Sequence, residues 1–240
     1  FFQYVAFTAA HWPMHAPEKS IQKYMKMYKG GWEKLRNERY QRMLKMGIID
    51  KERWPLPTRE SWVQDWDTID HKPWRIRNQA IYAAMVDHMD QAVGNIINAL
   101  KRTKQLENTL IIYFHDNGAC PEHLSGNGWN TANNILAKAK REGKEVAVGD
   151  KYDVMMGGPL TYGSVGHNWA NAQNTPMRRY KSNVHNGGAC TPAIMHWPKG
   201  LKTRPGSITD QRGHVIDMLA TCIDLAGSVY PKKFGVNNID

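Results

Sequence analysis

The chain has 240 residues, of which 41% are hydrophobic and 22% are charged, a composition that excludes an intrinsically disordered protein and allows a sizeable core. Its net charge of +10 predicts attraction to anions, whether nucleic acid, phosphate, sulfate or an acidic polymer. No apolar run approaches the ~20 residues of a membrane-spanning helix, so we expect no membrane span.

The basic residues are spread along helical patterns and do not cluster with aromatic residues. This distribution favours a solvated helical surface over a nucleic-acid-binding groove, so we expect no nucleic-acid partner. The cysteines Cys120, Cys190 and Cys222 are far apart in the chain and show no zinc-finger spacing.

In chain order, residues 1–7 predict a short buried strand, and the strongly basic segment 18–47 predicts helix with a break near Gly30. Apolar residues then recur at every third or fourth position over 74–106, which predicts a long amphipathic helix. The apolar run that follows predicts a second buried strand over 109–115.

Residues 121–165 are rich in Gly and Asn and are predicted to make an excursion over the surface around one weak helix. A short helix is predicted over 176–184, a third buried strand over 192–197, and a final helix over 213–227. Helices that alternate with buried strands are typical of an α/β protein. We therefore expect the three strands to lie in one mainly parallel central sheet with helices on both faces.

Polar residues follow directly on the second strand, where Asp116, Asn117 and Gly118 occur. Ligands of parallel α/β proteins bind at the carboxyl ends of the strands, and carboxylate and amide oxygens are suitable ligands for Ca²⁺ or Mg²⁺. Asp-Asn-Gly is also common turn chemistry, so the tripeptide alone leaves open whether it binds a cation or only reverses the chain.

Two further pairs of side chains could carry chemistry. His11 and His15 lie in a Pro-containing loop after the first strand, where an imidazole can act as acid, base or anion donor. Alternatively, they are surface histidines beside a packed Trp12. Lys181 and His185 are four residues apart and would share one face of a helix, or they would simply complement the dipole at a helix end.

Taken together, these segments resemble the type I sulfatases, specifically the bacterial arylsulfatase-like members of the alkaline-phosphatase superfamily. Five segments follow one another in the order found in that family. They are FFQYVAFTAAHWPMHAP, YAAMVDHMDQAVGNIINAL, ENTLIIYFHDNGA, GHNWANAQNTPMRRYKSNVHNGGACTPAIMHWPKG and HVIDMLATCIDLAG. The resemblance implies the α/β sandwich of that superfamily and hydrolysis of an aryl or carbohydrate sulfate ester.

The resemblance also implies roles for individual residues. Asp116 and Asn117 are expected to bind a divalent cation, Ca²⁺ or Mg²⁺. His11 is expected to face the scissile ester, and Lys181 to grip the sulfate, with His185 as a second substrate-binding residue. A cation and an ammonium group would offset the charge that develops on the sulfuryl oxygens. The expected partner is a sulfated small molecule or glycan, and the implied location is periplasmic or secreted.

The nucleophile of this family is a formylglycine made from the Cys or Ser of a C/S-x-P-x-R motif, and no such motif occurs in the chain. The N-terminal strand of the family, whose Asp pair completes the metal site, is not matched either. We therefore expect residues 1–240 to be the C-terminal part of a sulfatase catalytic domain, with formylglycine in the missing N-terminal part. The chain alone is expected to be inactive. A smaller departure is His115, where the family usually has Ser.

Two alternatives to a sulfatase stay open at this point. The first is a phosphodiesterase or phosphonate hydrolase of the same superfamily, because both reactions require a site for a tetrahedral anion. The second is a non-catalytic, basic module that binds a polyanion, which predicts salt-sensitive binding that survives loss of Asp116 and Lys181.

Overall fold

The computed structural model describes residues 1–124 and 139–238 of the chain. The chain divides into two compact units, Phe1–Lys202 and Thr203–Asp240. All the residues with predicted roles in binding or chemistry belong to the larger unit, which is described first.

Helices provide most of the regular structure of the larger unit. Their bounds are α1 Glu18–Met25, α2 Gly31–Lys45, α3 Lys72–Arg102, α4 Gly166–Gln173 and α5 Asn186–Ala189, with a short 3-10 helix at Leu106–Asn108. The predicted break in the basic helix is confirmed, because α1 and α2 are separate helices. Gly31 has a left-handed φ of 79°, and a Cβ atom there would lie 2.2 Å from the Trp66 ring.

The core of the larger unit is rich in tryptophan. Trp32 on α2, Trp169 on α4 and Trp66 in the loop before α3 form what we call the tryptophan cluster. The ring centroid of Trp32 lies 4.7 Å from Trp66 and 5.3 Å from Trp169, in edge-to-face geometry. Because these side chains come from three separate segments, their packing holds α2, α4 and the intervening loop together.

The predicted long helix is confirmed as α3, which packs against α1. Pro73 lies in its first turn, where a missing backbone N–H removes no helical hydrogen bond. Arg77 of α3 is 8% exposed and donates two hydrogen bonds to the Glu18 carboxylate on α1, at 3.0 and 2.6 Å. A third bond from Arg77 reaches the Met156 carbonyl at 2.6 Å.

The strands form two small sheets in this unit. The predicted strands at 109–115 and 192–197 are confirmed as β1 Ile111–Phe114 and β4 Ala193–His196, but they pair antiparallel, with Ile111 opposite His196. The second sheet pairs β2 Ala147–Val148 with β3 Thr161–Tyr162 in parallel. The structure therefore shows an α/β chain with small sheets over the described residues, and not the single parallel sheet expected from the sequence.

The strand predicted over residues 1–7 is wrong. These residues belong to no strand, and their side chains are exposed, including Phe1 at 87% and Tyr4 at 78%. An extended apolar segment becomes a strand only when its backbone groups pair with a neighbour, and within 1–124 and 139–238 no strand pairs with it.

The helix predicted over 176–184 is also wrong, because these residues form turns and bends. Arg179 and Ser182 have left-handed φ values of 66° and 71°, which a right-handed helix does not contain. The backbone N–H of Lys181 bonds to the carbonyl of Ala119 at 3.1 Å and not to a preceding turn. Lys181 and His185 consequently do not share a helix face.

The segment 121–165 is described only in part. The weak helix predicted in it lies largely within 125–138, outside the described residues. The described part contributes a second buried cluster, made by Leu124, Val148 and Tyr162, against which Trp12 packs. This cluster places the loop that carries His11 next to the parallel strands β2 and β3.

The smaller unit contains helix α6 Val215–Leu225 and a hairpin of β5 Lys233–Phe234 with β6 Asn237–Asn238. The helix predicted over 213–227 is thereby confirmed. His214 and Asp217 cap its start reciprocally, and Gly227 follows its end with a φ of 61°. Across the described parts of both units, no helix combines the length and the apolar character needed to cross a bilayer.

Candidate active site

His11 and Lys181 are in direct contact, although 170 positions separate them in the sequence. The Nζ atom of Lys181 lies 3.0 Å from Nε2 of His11. An ammonium group has no lone pair, so Nζ donates and Nε2 accepts. The other ring nitrogen, Nδ1, then carries the proton and donates a hydrogen bond to the Trp12 carbonyl at 2.8 Å. These two bonds fix both the tautomer and the orientation of the imidazole.

The carboxylate of Glu122 lies beside this pair. Its Oε1 is 3.6 Å from Nζ of Lys181, and its Oε2 accepts hydrogen bonds from Trp12 Nε1 and from the Cys120 thiol, the latter at 3.1 Å. Burial would raise the pKa of Glu122, but the bonds from Cys120 and Trp12 and the charge of Lys181 hold it below the usual value. Glu122 therefore remains an anion next to the ammonium group.

We call His11, Cys120, Glu122 and Lys181 the Lys181 cluster. One potential ligand atom from each of His11, Cys120 and Glu122 lies within 4.8 Å of the others, a spacing that a metal ion could bridge. Burial, reinforced by the bond to Glu122, raises the pKa of the Cys120 thiol to about 11, so this sulfur keeps its proton. The Lys181 ammonium also contacts two of these groups, His11 and Glu122. The side chains of the cluster therefore form a network of polar contacts with one another.

The loop that carries Lys181 is tied to the turn that carries Asp116 and Asn117. Asn174, the residue after α4, forms three bonds with its side chain. Its Oδ1 accepts from the Ala119 N–H at 2.9 Å, and its Nδ2 donates to the carbonyls of Arg179 at 2.8 Å and Gly187 at 2.7 Å. The Lys181–Ala119 backbone bond described above adds a fourth link. The backbones of the two predicted site segments are thus joined directly.

The outer side of the same loop is held by charge and by aromatic contacts. Arg178 donates to both oxygens of Glu60, at 2.8 and 3.1 Å, and these bonds lower the pKa of Glu60. The guanidinium of Arg179 lies 3.7 Å from the ring centroid of Trp62, which itself donates to the Tyr180 hydroxyl. Each residue from 178 to 180 therefore has a partner that restrains the loop.

The side chains of Asp116 and Asn117 form no hydrogen bond or ion pair with any residue that the structure describes. Asp116 is exposed and Asn117 is half-buried. Their oxygens are therefore available to a hard cation, and the donor set fits Ca²⁺ or Mg²⁺. A complete shell requires about six to eight oxygens for Ca²⁺, so these two residues could supply only part of it.

Gly118 makes the close packing of this turn possible. Its N–H donates to the Gly188 carbonyl at 3.1 Å, and a Cβ atom on Gly118 would lie 1.7 Å from the carbonyl oxygen of Gly187. No side chain can be accommodated at that distance. The Asp-Asn-Gly segment is thus a tight turn as well as a candidate cation site, and the two sequence interpretations are compatible.

The other histidines have contacts of their own. His15 Nε2 donates to the Thr161 carbonyl at 2.7 Å, which is a structural bond to β3. His115 contacts the hydroxyl of Tyr113 at 3.1 Å. His185 is exposed at the start of α5 and contacts no member of the Lys181 cluster, although its charge helps to lower the pKa of Glu60. Its predicted role in substrate binding stays a prediction.

Glu122 and Asn174 were not identified from the sequence. Glu122 is one of several acids in the segment 121–165, and Asn174 is one of several amides in 168–174, so neither stands out by type or spacing. A weak signal for Glu122 was available, because it lies six residues after Asp116 in the loop that follows a strand end.

Comparison with known proteins identifies the family of the chain. A family profile described as Sulfatase matches residues 1–228. The chain is 33% identical over 233 residues to an uncharacterized sulfatase of Schizosaccharomyces pombe. This match covers 96% of the chain and 40% of that protein. It is 29% identical over 240 residues to an arylsulfatase of Klebsiella aerogenes, with 97% and 47% covered.

A more distant relative is an N-acetylgalactosamine-6-sulfatase of Sus scrofa, with 24% identity over 159 residues, or 66% of the chain and 22% of that protein. The chain thus spans less than half the length of each of these relatives. All three proteins are named as sulfatases. Each match covers only the part of that protein that corresponds to this chain.

Proposed function

The chain belongs to the sulfatase family, and from this membership we propose that the intact protein hydrolyses sulfate esters of an aryl alcohol or a carbohydrate. The observation that supports this most directly is the contact of His11 with Lys181, 3.0 Å apart, beside the turn with Asp116 and Asn117. A cationic donor and an imidazole thus lie next to each other, which suits a site for a tetrahedral anion with a leaving oxygen.

Lys181 would bind the sulfuryl group. Its side chain is 25% exposed, so it is accessible to a ligand and yet partly removed from water. In such a site an ammonium hydrogen bond to a sulfuryl oxygen is stronger than in bulk solvent. The same charge offsets the negative charge that grows on these oxygens as the ester bond breaks, so the contribution is larger in the transition state than in the bound substrate.

His11 would supply the proton for the leaving oxygen. When the S–O bond to the alcohol breaks, the bonding electrons stay on that oxygen, which then takes a proton from Nε2 of the imidazolium form. Nδ1–H would stay hydrogen-bonded to the Trp12 carbonyl throughout, so the ring would keep its orientation while Nε2 gains and loses the proton. The substrate would replace the present contact between Nε2 and Lys181.

Asp116 and Asn117 would hold part of the shell of a Ca²⁺ or Mg²⁺ ion. Such an ion supplies positive charge that polarises the sulfuryl oxygens. We also propose that the nucleophile is a formylglycine elsewhere in the intact protein, because the C/S-x-P-x-R motif does not occur in these 240 residues. The residues of this chain would then bind the anion, orient it and protonate the leaving oxygen.

For the fold of the intact protein, we propose that β1 and β4 belong to a larger, mainly parallel central sheet with helices on both faces. The support comes from apolar residues of β4 that are exposed in this chain and that the neighbouring strands and helices of such a sheet would cover. All four residues of β4 are exposed, with Ile194 at 63% and Met195 at 48%. A sulfated small molecule or glycan as substrate, and a periplasmic or secreted location, belong to the same proposal.

The activity is tested with the purified intact protein on an aryl sulfate and, for comparison, on an aryl phosphodiester. We expect turnover of the sulfate that is lost on treatment with a chelator and restored by Ca²⁺ or Mg²⁺. Preferred hydrolysis of the phosphodiester would instead support the phosphodiesterase alternative and reject a sulfatase. The 240-residue chain assayed alone should show no turnover.

The role of Lys181 is tested by kcat/KM for Lys181→Ala. We expect a loss on the order of 10²–10³, because the variant lacks the donor to the developing charge. Lys181→Arg should recover little of it, since a planar guanidinium does not replace a compact ammonium. Lys26→Ala is the matched control, because Lys26 is an exposed helix-end lysine and should lose almost nothing. Equal, small losses at both lysines would reject the assignment.

A further inference from the structure

We propose that Glu122 is a positioning residue that holds the Lys181 ammonium and the Trp12–His11 segment in the arrangement needed for hydrolysis. The proposal rests on the sulfatase activity proposed above and adds to it a residue that neither the sequence pattern nor the family resemblance identified. Glu122 would not contact the substrate. It would act through Lys181 and Trp12, both of which it contacts.

The two oxygens of Glu122 face different partners. Oε2 accepts from Trp12 Nε1 and from the Cys120 thiol, so it is directed toward the loop that carries His11. Oε1 faces Nζ of Lys181 at 3.6 Å. The carboxylate therefore bridges the two segments that supply the proposed catalytic groups, although these segments lie far apart in the sequence.

Glu122 is itself held in place. Its carbonyl accepts a hydrogen bond from the Ser164 hydroxyl, and its partner Trp12 packs against Tyr162 with ring centroids 5.7 Å apart. Tyr162 is buried in the small cluster with Leu124 and Val148. Glu122 is thus anchored beside the parallel strands β2 and β3 through its backbone and through Trp12, and its side chain presents Oε1 to Lys181.

The physical reason for such a residue lies in the lysine side chain. A lysine has four rotatable bonds, so without restraint its ammonium group samples many positions. The Glu122 carboxylate is 18% exposed, and its attraction for Nζ is therefore less screened than that of a surface acid. It restricts Nζ to the side of its range that adjoins Nε2 of His11, where the sulfuryl group and the leaving oxygen would meet.

The decisive experiment is a double-mutant cycle on kcat/KM for an aryl sulfate, using the intact protein. We expect Glu122→Gln to lose roughly 10- to 100-fold, as outer residues that orient a functional group commonly do, while Glu122→Asp recovers part of the loss. The part of the loss that acts through Lys181 is absent when Lys181 is already Ala, so the double variant Glu122→Gln/Lys181→Ala should lose clearly less than the product of the two single losses, and any remaining loss reports the contact with Trp12. Independent, multiplying losses would overturn the proposal.

Glu107→Gln provides the matched control, because Glu107 is an exposed acid outside the Lys181 cluster and its removal should leave kcat/KM unchanged. If Glu122 had only a structural role, the variant would have a lower thermal midpoint. Its loss in kcat/KM would then multiply with the loss of Lys181→Ala in the cycle. A stoichiometric bound metal in the wild type that is absent from Glu122→Gln would also overturn the proposal, since it would make the cluster a metal site.

A second measurement reports on the contacts without using activity. Because the Glu122 carboxylate helps to raise the pKa of the Cys120 thiol, Glu122→Gln should speed alkylation of Cys120 at fixed pH, measured by peptide mass spectrometry. An unchanged rate would overturn the contact network. A wild-type protein that shows this network but hydrolyses no sulfate ester would reject the proposed function and, with it, any positioning role in that reaction.

Discussion

The tryptophan cluster and the Lys181 cluster belong to the same unit and are built on opposite principles. The first consists of indole rings packed mainly edge to face, with Trp32 at 2% exposure and Trp169 at 1%. The second consists of charged and polar groups, most of them half-buried, each with a directed contact to the next. Apolar burial stabilises the fold in proportion to area, whereas each polar contact adds little net stability but fixes direction. Stability and chemistry are therefore expected to respond to different substitutions.

The largest expected effect is on the stability side of this comparison. Trp169→Ala should lower the free energy of unfolding by about 3–5 kcal/mol, because it removes a fully buried ring and its Nε1 bond to the Arg75 carbonyl. The measurement is denaturant unfolding of the intact protein. Trp197→Ala is the control of the same type, since Trp197 is only half-buried and should cost clearly less. Similar losses at both positions would contradict a dominant tryptophan cluster.

A second substitution breaks the comparison deliberately, because Asn174 joins the two regions. It follows α4, the helix that carries Trp169, and it binds the loop that carries Lys181. Asn174→Ala should cost about 1–3 kcal/mol of stability and also reduce kcat/KM, since it leaves backbone groups unpaired and loosens the loop.

Thermal unfolding and kinetics measured on the same samples test the Asn174 variant. Asn174→Asp should be intermediate, because Oδ1 remains for the Ala119 N–H while the donor to Arg179 and Gly187 is lost. The exposed Asn37→Ala is the neutral control. Loss of stability without any loss of activity would show that the loop does not depend on Asn174.

The smallest expected effect concerns an ion pair at the edge of the core. Hydrogen bonds from Arg77, and then from Gln22, lower the pKa of Glu18 from 4.5 to about 2. A lowered folded-state pKa adds stability above the unfolded value, and this stability is lost as the pH falls from 4.5 toward 2. Because the Glu18 side chain is 53% exposed, we expect only about 1 kcal/mol.

Thermal midpoints measured between pH 7 and pH 2 test this prediction. Glu18→Gln should be less stable than the wild type near neutral pH, and the difference should shrink as the pH falls through the window from 4.5 to about 2. Glu107→Gln, at an exposed acid, should show no such convergence. A difference between Glu18→Gln and wild type that stays constant with pH would assign the loss to packing and not to charge.

Much of the helical structure could be predicted because helical periodicity is local. The pattern over 74–106 corresponds to α3 Lys72–Arg102, and the break near Gly30 separates α1 from α2. Strand pairing is not local. The apolar run at 1–7 reads as a strand, but its partner cannot be deduced from its own residues, and the described chain provides none.

The candidate site shows the same limit. The residues suggested by the family resemblance, His11 and Lys181, are in contact, and their chemical roles stay predictions. The predicted helix over 176–184 was wrong because its backbone bonds to Ala119, which is distant in sequence, and to the side chain of Asn174, which precedes the segment. These bonds replace the hydrogen bonds of a helix. Glu122 gains its significance only from Trp12 and Lys181, which no local pattern links to it.

The left-handed residues Arg179 and Ser182 have a consequence for kinetics. A residue other than glycine in this conformation costs roughly 1–2 kcal/mol, and at Arg179 the bond from Asn174 and the contact with Trp62 offset the cost. The backbone around Lys181 is therefore shaped during folding and before any anion arrives. We expect the described loop 178–182 to need no slow rearrangement when an anion binds, so that at this loop only the torsions of the Lys181 side chain change.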